Sequence, residues 1–228
     1  MSPRWAEYGN PSGLLPRARG STSSLAFLRR ENHREDSGGD EVSLEVVTGC
    51  MFSGKTEELV RRLRRSKIAG QSVRAFKPAI DTRYHETHIS THLGGTFEAM
   101  PIETIAQMRG LMPEFPDVIG FDEAQFMRPG IVGFLEEAAN AGVQVIVAGL
   151  DMDYMGKPFG PMPELLALAD RVTKLHAVCV APRPDGKPCG SPASRSYRVP
   201  KADLGERVQV GSSDVYEARC RACWGEQH

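Results

Sequence analysis

Hydrophobic residues along the chain form short runs that alternate with longer amphipathic segments. Runs bounded by Gly, Pro or charged residues are typical of β-strands buried in a sheet. Five such runs predict strands: Leu44 to Thr48, Ser72 to Phe76, Val118 to Phe121, Val143 to Ala148 and Arg171 to Val178. The polar stretch from Ala79 to Gly95 has no such pattern and predicts a loop.

Apolar residues at helical spacing occur between these runs. The segment Glu57 to Ala69 carries an apolar stripe through Leu59 and Leu63 with arginines around it, and Gly70 follows as a stop signal. Three further segments predict helices: Ile102 to Leu111, Ile131 to Ala141 and Pro163 to Asp170. Alternating strands and helices predict an α/β fold with a mostly parallel sheet that is covered on both faces.

The two ends of the chain differ from this middle part. The first forty residues mix Ser, Gly, Pro and Arg, and their one apolar run, Leu25 to Leu28, is too short for a secretory signal. Residues 1–40 are therefore predicted to be a disordered extension. An organelle transit peptide is the alternative, and Glu7 and the acidic stretch 31–40 weaken it. After Val178 the pattern breaks into Pro, Gly and Cys, so we expect a main domain over 41–178 and a small unit over 179–228.

Length and composition set further bounds. The 228 residues suffice for one substantial domain with a small appendage, and 40% apolar and 25% charged residues are ordinary values. A net charge of −1 and a pI near 6.6 give no general electrostatic footprint for nucleic acid. No apolar run approaches the roughly 20 residues that cross a bilayer. We expect a cytoplasmic protein that binds neither nucleic acid nor membrane.

A glycine-rich segment lies between the first strand and the first helix. Gly49-x4-Gly54-Lys55-Thr56 fits the phosphate-loop pattern in the context that this pattern requires. Glycines let backbone amides surround phosphate oxygens, and the helix adds its positive dipole end. Lys55 is expected to reach the β- and γ-phosphates, and the Thr56 hydroxyl to ligate Mg²⁺. The predicted ATP-binding residues are Gly49, Cys50, Met51, Phe52, Ser53, Gly54, Lys55 and Thr56.

Two carboxylates, Asp122 and Glu123, follow the third predicted strand. In phosphate-loop proteins an acid at this place assists Mg²⁺. Because neighbouring side chains on an extended chain point to opposite sides, the two acids can have different roles. We assign Asp122 to the magnesium side and Glu123 to the proton of the acceptor hydroxyl. An acidic cap on a solvated strand end is the alternative interpretation.

The chain has five cysteines, and four of them lie near its end. Cys220-x2-Cys223 has the spacing of a zinc knuckle, whereas nine residues separate Cys179 from Cys189. That longer segment is rich in turn formers, so all four thiolates can still reach one tetrahedral ion. We predict a structural Zn²⁺ site, with four free thiols as the alternative. We interpret His85, His88 and His92 as loop residues near a substrate entrance, and a second metal site at these histidines is the weaker hypothesis.

Three motifs together resemble one family. They are Met51-Phe52-Ser53-Gly54-Lys55-Thr56, Asp122-Glu123-Ala124-Gln125-Phe126 and Gly149-Leu150-Asp151-x4-Gly156-Lys157-Pro158-Phe159-Gly160. In this order they look like the signatures of thymidine kinases of the cytosolic, zinc-containing type, and the resemblance extends from about Glu45 to Trp224. The spacing of Cys179 and Cys189 is longer than is usual in that family.

The resemblance implies a reaction and an architecture. A member of this family transfers the γ-phosphate of ATP to the 5′-hydroxyl of thymidine, with deoxyuridine as a second substrate, and gives dTMP in nucleotide salvage. It has a RecA-like phosphate-loop kinase domain, here 41–178, and a small zinc-binding domain with a loop that closes over the nucleoside, here 179–228. It forms homodimers or homotetramers.

The resemblance also implies roles for single residues. Glu123 matches the catalytic carboxylate, Ala124 and Gln125 join the ATP and phosphate site, and Asp81 and Arg83 belong near the phosphates and magnesium. The residues implied at the nucleoside are Phe126, Leu150, Tyr154, Phe159, Val210, Gly211 and Tyr216. Aromatic and apolar walls suit a flat pyrimidine.

Two hypotheses from other classes stay open at this point. The first is a phosphate-loop ATPase whose zinc knuckle acts on nucleic acid, and the second is a catalytically silent nucleotide sensor. Near-neutral charge and the motif around Leu150 to Phe159 speak against the ATPase. Nucleoside-dependent ATP consumption distinguishes the kinase from the ATPase.

Overall fold

A computed structural model describes residues 43–79, 88–90, 96–128, 130–200 and 215–225 of the chain. The predicted extension over 1–40 lies outside these residues, as do Asp81, Arg83, His85 and His92. Val210 and Gly211 also lie outside them. Every described residue belongs to one unit that spans residues 40–228. No helix within the described ranges is long and apolar enough to cross a membrane.

The described chain contains twelve strands and five α-helices. The strands are β1 Leu44–Gly49, β2 Val73–Pro78, β3 His88–Ser90, β4 Thr96–Glu98, β5 Met100–Ile102, β6 Val118–Phe121, β7 Gln144–Gly149, β8 Arg171–Leu175, β9 Ala177–Val178, β10 Pro192–Ala193, β11 Arg195–Arg198 and β12 Tyr216–Arg219. The helices are α1 Lys55–Ile68, α2 Ile105–Leu111, α3 Ile131–Asn140, α4 Met162–Leu168 and α5 Arg221–Gly225, and a single 3₁₀ turn covers Ala124–Phe126.

Six strands form the central sheet in the order β5-β2-β6-β7-β1-β8, and every neighbouring pair is parallel. The predicted α/β class with a parallel sheet is therefore confirmed. Strand β1 is internal, between β7 and β8. Because parallel strands end at the same edge, the segments that follow β1, β6 and β7 meet there, which is where open α/β sheets bind ligands.

The pleat of the sheet divides the core into two layers. Val46, Val145 and Val147 pack on one face with buried residues of α3 and α4, whereas Val47 and Ile146 pack on the other face with α1. Neighbouring residues of one strand thus belong to opposite layers of the core, which explains why β1 and β7 are mostly apolar rather than alternating between apolar and polar residues. Both faces of the sheet are covered.

Helix α1 lies close to the sheet because β6 contains a glycine. A Cβ atom on Gly120 would lie 2.5 Å from Leu63 Cδ1, well inside van der Waals contact. Leu63 is itself fully buried. This contact fixes the distance between the helix that follows the phosphate loop and the strand that carries Asp122.

Three predicted elements differ from the structure. The loop predicted over 79–95 contains β3, which pairs with β4 because Ile89 and Phe97 are opposite each other and both buried. The helix predicted from Ile102 begins at Ile105, since Thr104 caps it with a reciprocal capping box to Gln107. The strand predicted over 171–178 is divided after Leu175, and its two parts belong to different sheets.

The C-terminal residues form small antiparallel pairs rather than further parallel strands. Strand β9 pairs with β10, and β11 pairs with β12, which leads directly into Cys220 and α5. The segment is poor in large apolar side chains, and its buried cluster consists of alanines and cysteines. Such a core is too small to be stable by itself.

Candidate active site and cysteine cluster

The phosphate loop is closed by hydrogen bonds to one carbonyl. Ser53 Oγ and Lys55 Nζ each donate to the carbonyl oxygen of Cys50 at 2.8 Å. Gly54 has a φ of 84°, and no side chain caps the N-terminus of α1. The first N–H groups of a helix have no partner within it, so those of α1 are available to an anion.

Gly49 lets the loop begin directly against strand β8. Its φ is 147°, and a Cβ atom there would lie 2.3 Å from the carbonyl oxygen of Leu175. Only glycine fits such an approach. The start of the loop is thereby held against the end of a strand that is more than a hundred residues away in the sequence.

Lys55 lies among acidic groups. Burial lowers the pKa of its ammonium, and the negative charges of Glu123, Asp122 and Asp151 act in the opposite direction. The lysine is therefore close to both acids that follow β6 and to the acid that follows β7. A phosphate that enters the loop would meet this cation together with the backbone amides.

Thr56 and Asp122 contact each other across the site. The Thr56 hydroxyl donates a hydrogen bond to the Asp122 carboxylate, and Thr56 Oγ1 lies 3.2 Å from Oδ2 and 3.4 Å from Oδ1 of Asp122. Asp122 is buried, and burial, followed by the charge of Glu123, raises its pKa to about 7. A hydroxyl and a carboxylate at this separation are oxygen ligands of the kind that Mg²⁺ takes.

Glu123 adopts a left-handed backbone conformation with a φ of 52°. The prediction of an extended backbone at Glu123 is therefore wrong, although the two acids do have different partners. The carboxylate of Glu123 accepts a hydrogen bond from Gln125 Nε2, whereas Asp122 contacts Thr56. Left-handed conformations of non-glycine residues are strained and cluster at functional sites.

Gln125 connects the ends of two strands. While its Nε2 donates to Glu123, its Oε1 accepts a hydrogen bond from the backbone N–H of Leu150 at 2.9 Å. The side chain is buried. The family resemblance places Gln125 at the ATP site, and in the structure Gln125 contacts Glu123 and the segment that follows β7. The adjacent Ala124 is also buried.

Aromatic side chains predicted for the nucleoside lie in two pairs. The rings of Phe126 and Phe159 are 5.4 Å apart and meet edge to face, and those of Tyr154 and Tyr216 are 6.5 Å apart. The Arg198 guanidinium lies 5.5 Å from the Tyr154 ring. Leu150, which directly follows β7, is half-buried. The fold thus brings together residues from three separate segments of the chain.

Gly160 allows the segment after β7 to pack on the segment after β6. A Cβ atom there would lie 2.1 Å from the carbonyl oxygen of Gln125, and its φ is 52°. The preceding turn is held by Asp153, whose Oδ1 accepts hydrogen bonds from Met155 N and Lys157 N at 2.9 Å each. This close packing positions Phe159 beside Phe126.

The four C-terminal cysteines converge. The Sγ atoms of Cys179, Cys189, Cys220 and Cys223 all lie within 4.8 Å of one another. Tetrahedral zinc with four thiolates at about 2.3 Å separates the sulfurs by about 3.8 Å, so the arrangement fits such an ion. All four ligand positions would be filled by protein, and such an ion would be structural.

The long interval between Cys179 and Cys189 folds into a hairpin. Cys189 N donates to Ala181 O at 2.8 Å, and Gly190 N donates to Cys179 O at 2.9 Å. Pro182 and Pro188 lie opposite each other in an isolated bridge. The additional residues therefore extend away from the cysteines without separating them.

The segment that carries the cysteines, which includes Ala193 and Ser196 between Cys189 and Cys220, also contacts the phosphate loop. Met51 N donates to Ser196 Oγ at 3.1 Å, and Cys50 Sγ donates to the carbonyl oxygen of Ala193 at 3.3 Å. Burial raises the pKa of the Cys50 thiol, which keeps it protonated and able to donate. Cys50 packs in the same buried cluster as Cys179.

Sequence reasoning missed two of these features. Ser196 matches no motif, and nothing in its neighbourhood signals a contact with Met51. Asp151 belongs to the Gly149 to Gly160 motif, but the sequence assigns it no role; its carboxylate is buried and forms an ion pair with Lys174 at 2.6 Å. Its position directly after a buried strand, like that of Asp122, was the available signal.

The chain is similar in sequence to proteins of known family. A family model described as thymidine kinase matches residues 42–224. The chain is 48% identical over 181 residues to a thymidine kinase of Bacteroides thetaiotaomicron, covering 79% of this chain and 86% of that protein. It is 46% identical over 187 residues to one of Rhodothermus sp. (82% and 83%) and 47% identical over 178 residues to one of Bdellovibrio bacteriovorus (78% and 83%). A solved structure of the Legionella pneumophila ATPase DotB aligns with a TM-score of 0.38 and 14% identity over 65% of this chain and 44% of that one, too distant to add to these matches.

Proposed function

Because this chain belongs to the thymidine kinase family and is an ATP-dependent nucleoside kinase, we propose that it transfers the γ-phosphate of ATP to the 5′-hydroxyl of thymidine with Glu123 as the catalytic base. Its place in metabolism is nucleotide salvage, and the alternative of a nucleic-acid-dependent ATPase is not favoured. The observation that carries the proposal is the meeting of three groups at one sheet edge: the phosphate loop, the Asp122–Glu123 pair and the aromatic residues Phe126 and Phe159.

ATP would be held at the phosphate loop through residues 49–56. Lys55 supplies the positive charge toward the β- and γ-phosphates, and the amides at the start of α1 supply further donors. Thr56 and Asp122 are the residues that would hold Mg²⁺, which neutralises charge on the phosphates when it is bound. Asp81 and Arg83 stay assigned to this region by family resemblance.

Glu123 would remove the proton from the 5′-hydroxyl as that oxygen attacks the γ-phosphorus. One P–O bond forms, the bond to the ADP leaving oxygen breaks, and the proton goes to the Glu123 carboxylate. The hydrogen bond from Gln125 restricts the orientation of that carboxylate. Lys55 offsets negative charge that develops on the transferred group.

The thymine ring would lie among aromatic and apolar side chains. Phe126 and Phe159 provide an edge-to-face pair, and Tyr154 and Tyr216 provide a second pair. Leu150 belongs to the same set, and Val210 and Gly211 are assigned to the closing loop by resemblance. Because deoxyuridine lacks only the 5-methyl group of thymidine, the same site would take it as a second substrate.

The remaining parts of the proposal concern the organisation of the protein. We place the boundary between the kinase domain and the zinc-binding unit near residue 178, since the parallel sheet ends at β8 and small antiparallel pairs follow. Cys179, Cys189, Cys220 and Cys223 would hold one structural Zn²⁺. A homodimer or homotetramer in the cytoplasm, with no nucleic-acid or membrane partner, completes the proposal.

The test is ATP consumption with and without thymidine, with product identified as dTMP. We expect thymidine-dependent turnover in the wild-type chain and none in Lys55→Ala. A parallel reaction with single-stranded DNA in place of thymidine separates the rival function. Turnover stimulated by DNA but not by thymidine would overturn the proposal.

A further inference from the structure

The phosphate loop is held from outside by the segment that carries the cysteines. Ser196, on β11, accepts a hydrogen bond from the N–H of Met51 at 3.1 Å, and the two residues are 145 positions apart in the sequence. Ser196 is buried, so water does not compete readily for its hydroxyl. Beside it, Cys50 Sγ donates to Ala193 O. Two consecutive residues of the loop, Cys50 and Met51, are therefore both bonded to the segment between Cys189 and Cys220.

The position of Ser196 depends in turn on the strands next to the cysteines. Ser196 pairs with Ala218 of β12, and β12 ends immediately before Cys220. Ala193 pairs with Ala177 of β9, which ends immediately before Cys179. The N–H of Val180 also donates to the carbonyl oxygen of Ala218 at 3.1 Å. Holding Cys179 and Cys220 together thus fixes the strands that present both contacts to the loop.

We propose that Ser196 is a positioning residue for ATP binding, through which the four-cysteine cluster determines the conformation of the phosphate loop. Met51 lies at the turn of the loop. The residue before it, Cys50, provides the carbonyl to which Ser53 and Lys55 donate, and the residue after it, the exposed Phe52, has a positive φ of 64°. The hydroxyl of Ser196 satisfies the Met51 N–H from outside the loop. Without that acceptor, the N–H must turn toward solvent or toward the phosphate site, and the loop loses its preorganised shape.

This inference rests on the proposed role of the phosphate loop in binding ATP. A structural metal at the four cysteines could have either of two roles, and their effects on the protein differ. A cluster that only stabilised the C-terminal segment would affect folding and the nucleoside side of the site. A cluster that acts through Ser196 affects ATP affinity first, because Met51 and Cys50 belong to the loop that takes the phosphates.

The test is Ser196→Ala, which removes the acceptor at nearly constant volume, compared with Ser194→Ala, which makes the same change two residues earlier on the same segment. ATP affinity is measured by nucleotide binding to the zinc-loaded chain, together with KM for each substrate, zinc content and melting temperature. We expect Ser196→Ala to weaken ATP binding by about three- to tenfold, the loss of one hydrogen bond. KM for thymidine and zinc content should match those of Ser194→Ala.

Equal ATP affinity in Ser196→Ala and Ser194→Ala would overturn the inference. If Ser196→Ala does not fold, two other variants take its place. Ser196→Thr keeps the hydroxyl and should bind ATP with wild-type affinity, whereas Ser196→Cys has a weaker acceptor and should bind ATP less tightly. Equal ATP affinities of these two variants would overturn the inference. Lys55→Ala tests the premise separately. If it binds ATP as well as the wild-type chain does, the assignment of the phosphate loop fails regardless of Ser196.

Discussion

The hydroxyl of Thr56 lies 3.2 Å from Oδ2 of Asp122, which joins the first turn of α1 to the end of β6. The two residues are 66 positions apart in the sequence. Gly120 brings the helix against the strand through Leu63, so the distance follows from the core. The magnesium ligands that we propose are therefore positioned by the layer that covers one face of the sheet.

Replacing Thr56 with valine tests this assignment. The change keeps the shape of the side chain and removes its hydroxyl, so kcat should fall by about 100-fold and the Mg²⁺ concentration for half-maximal activity should rise. Initial rates over a Mg²⁺ titration measure both effects. Thr173→Val, the same change on β8, serves as the control, and an unchanged Mg²⁺ dependence in Thr56→Val would remove Thr56 from the metal site.

The buried carboxyl of Asp122 predicts an unusual dependence of stability on pH. Its pKa in the folded chain is raised to about 7 from an ordinary value of 3.8. Between these values the folded chain keeps a proton that the unfolded chain has lost, so the free energy of unfolding falls as pH rises through this window. Asp122→Asn has no proton to lose, and its stability should decline less from pH 5 to pH 8.

Melting temperatures of the ligand-free chain at pH 5, 6, 7 and 8 measure this difference. Glu164→Gln, an exposed acid changed to its amide on α4, provides the control and should follow the wild-type chain. Parallel curves for wild type and Asp122→Asn would show that the Asp122 carboxyl titrates normally.

Glu123→Gln should separate binding from chemistry. The amide retains the size of the side chain and an oxygen that can accept from Gln125, but it cannot take the proton of the 5′-hydroxyl. We expect kcat to fall by about 10²- to 10⁴-fold, while ATP binding changes little. Single-turnover phosphorylation and equilibrium nucleotide binding measure the two quantities. Wild-type turnover would exclude Glu123 as the base.

The cysteines allow a matched test of the zinc site. Cys220→Ser removes one of the four proposed ligands, whereas Cys50→Ser changes the fifth cysteine of the chain, which is not one of these ligands. We expect about one zinc per chain in the wild type and in Cys50→Ser. Cys220→Ser should lose the metal and melt at a lower temperature, because binding of a structural metal contributes directly to folding. Zinc analysis and thermal unfolding check both, and full zinc content in Cys220→Ser would contradict the assignment.

Much of this site could be predicted from the sequence because its residues are contiguous. Gly49 to Thr56 form one loop, and Asp122 with Glu123 follow one apolar run, so strand and motif define them together. The parallel sheet was predictable for a related reason: β1, β6 and β7, three of its internal strands, lie on mostly apolar runs of the sequence. The cysteine cluster was predictable from residue type, even though the Cys179 to Cys189 interval was unusual.

Other features depend on contacts that leave no local pattern. Strands β3 and β4 have three residues each, too few for an alternation to stand out, and they form because Ile89 and Phe97 pair and become buried. The left-handed backbone of Glu123 follows from the turn into Ala124–Phe126, not from the preference of glutamate itself. The contact of Ser196 with Met51 spans 145 positions, so neither partner signals it.

The position of β1 between β7 and β8 also has a consequence for how the chain is made. During synthesis the phosphate loop leaves the ribosome early, yet the carbonyl of Gly149 that Thr48 contacts comes 101 residues later, and the end of β8 that holds Gly49 comes later still. A nascent chain shorter than about 175 residues therefore lacks one side of its own nucleotide site. The capacity to bind ATP, encoded near the start of the domain, should be among the last properties that the growing polypeptide acquires.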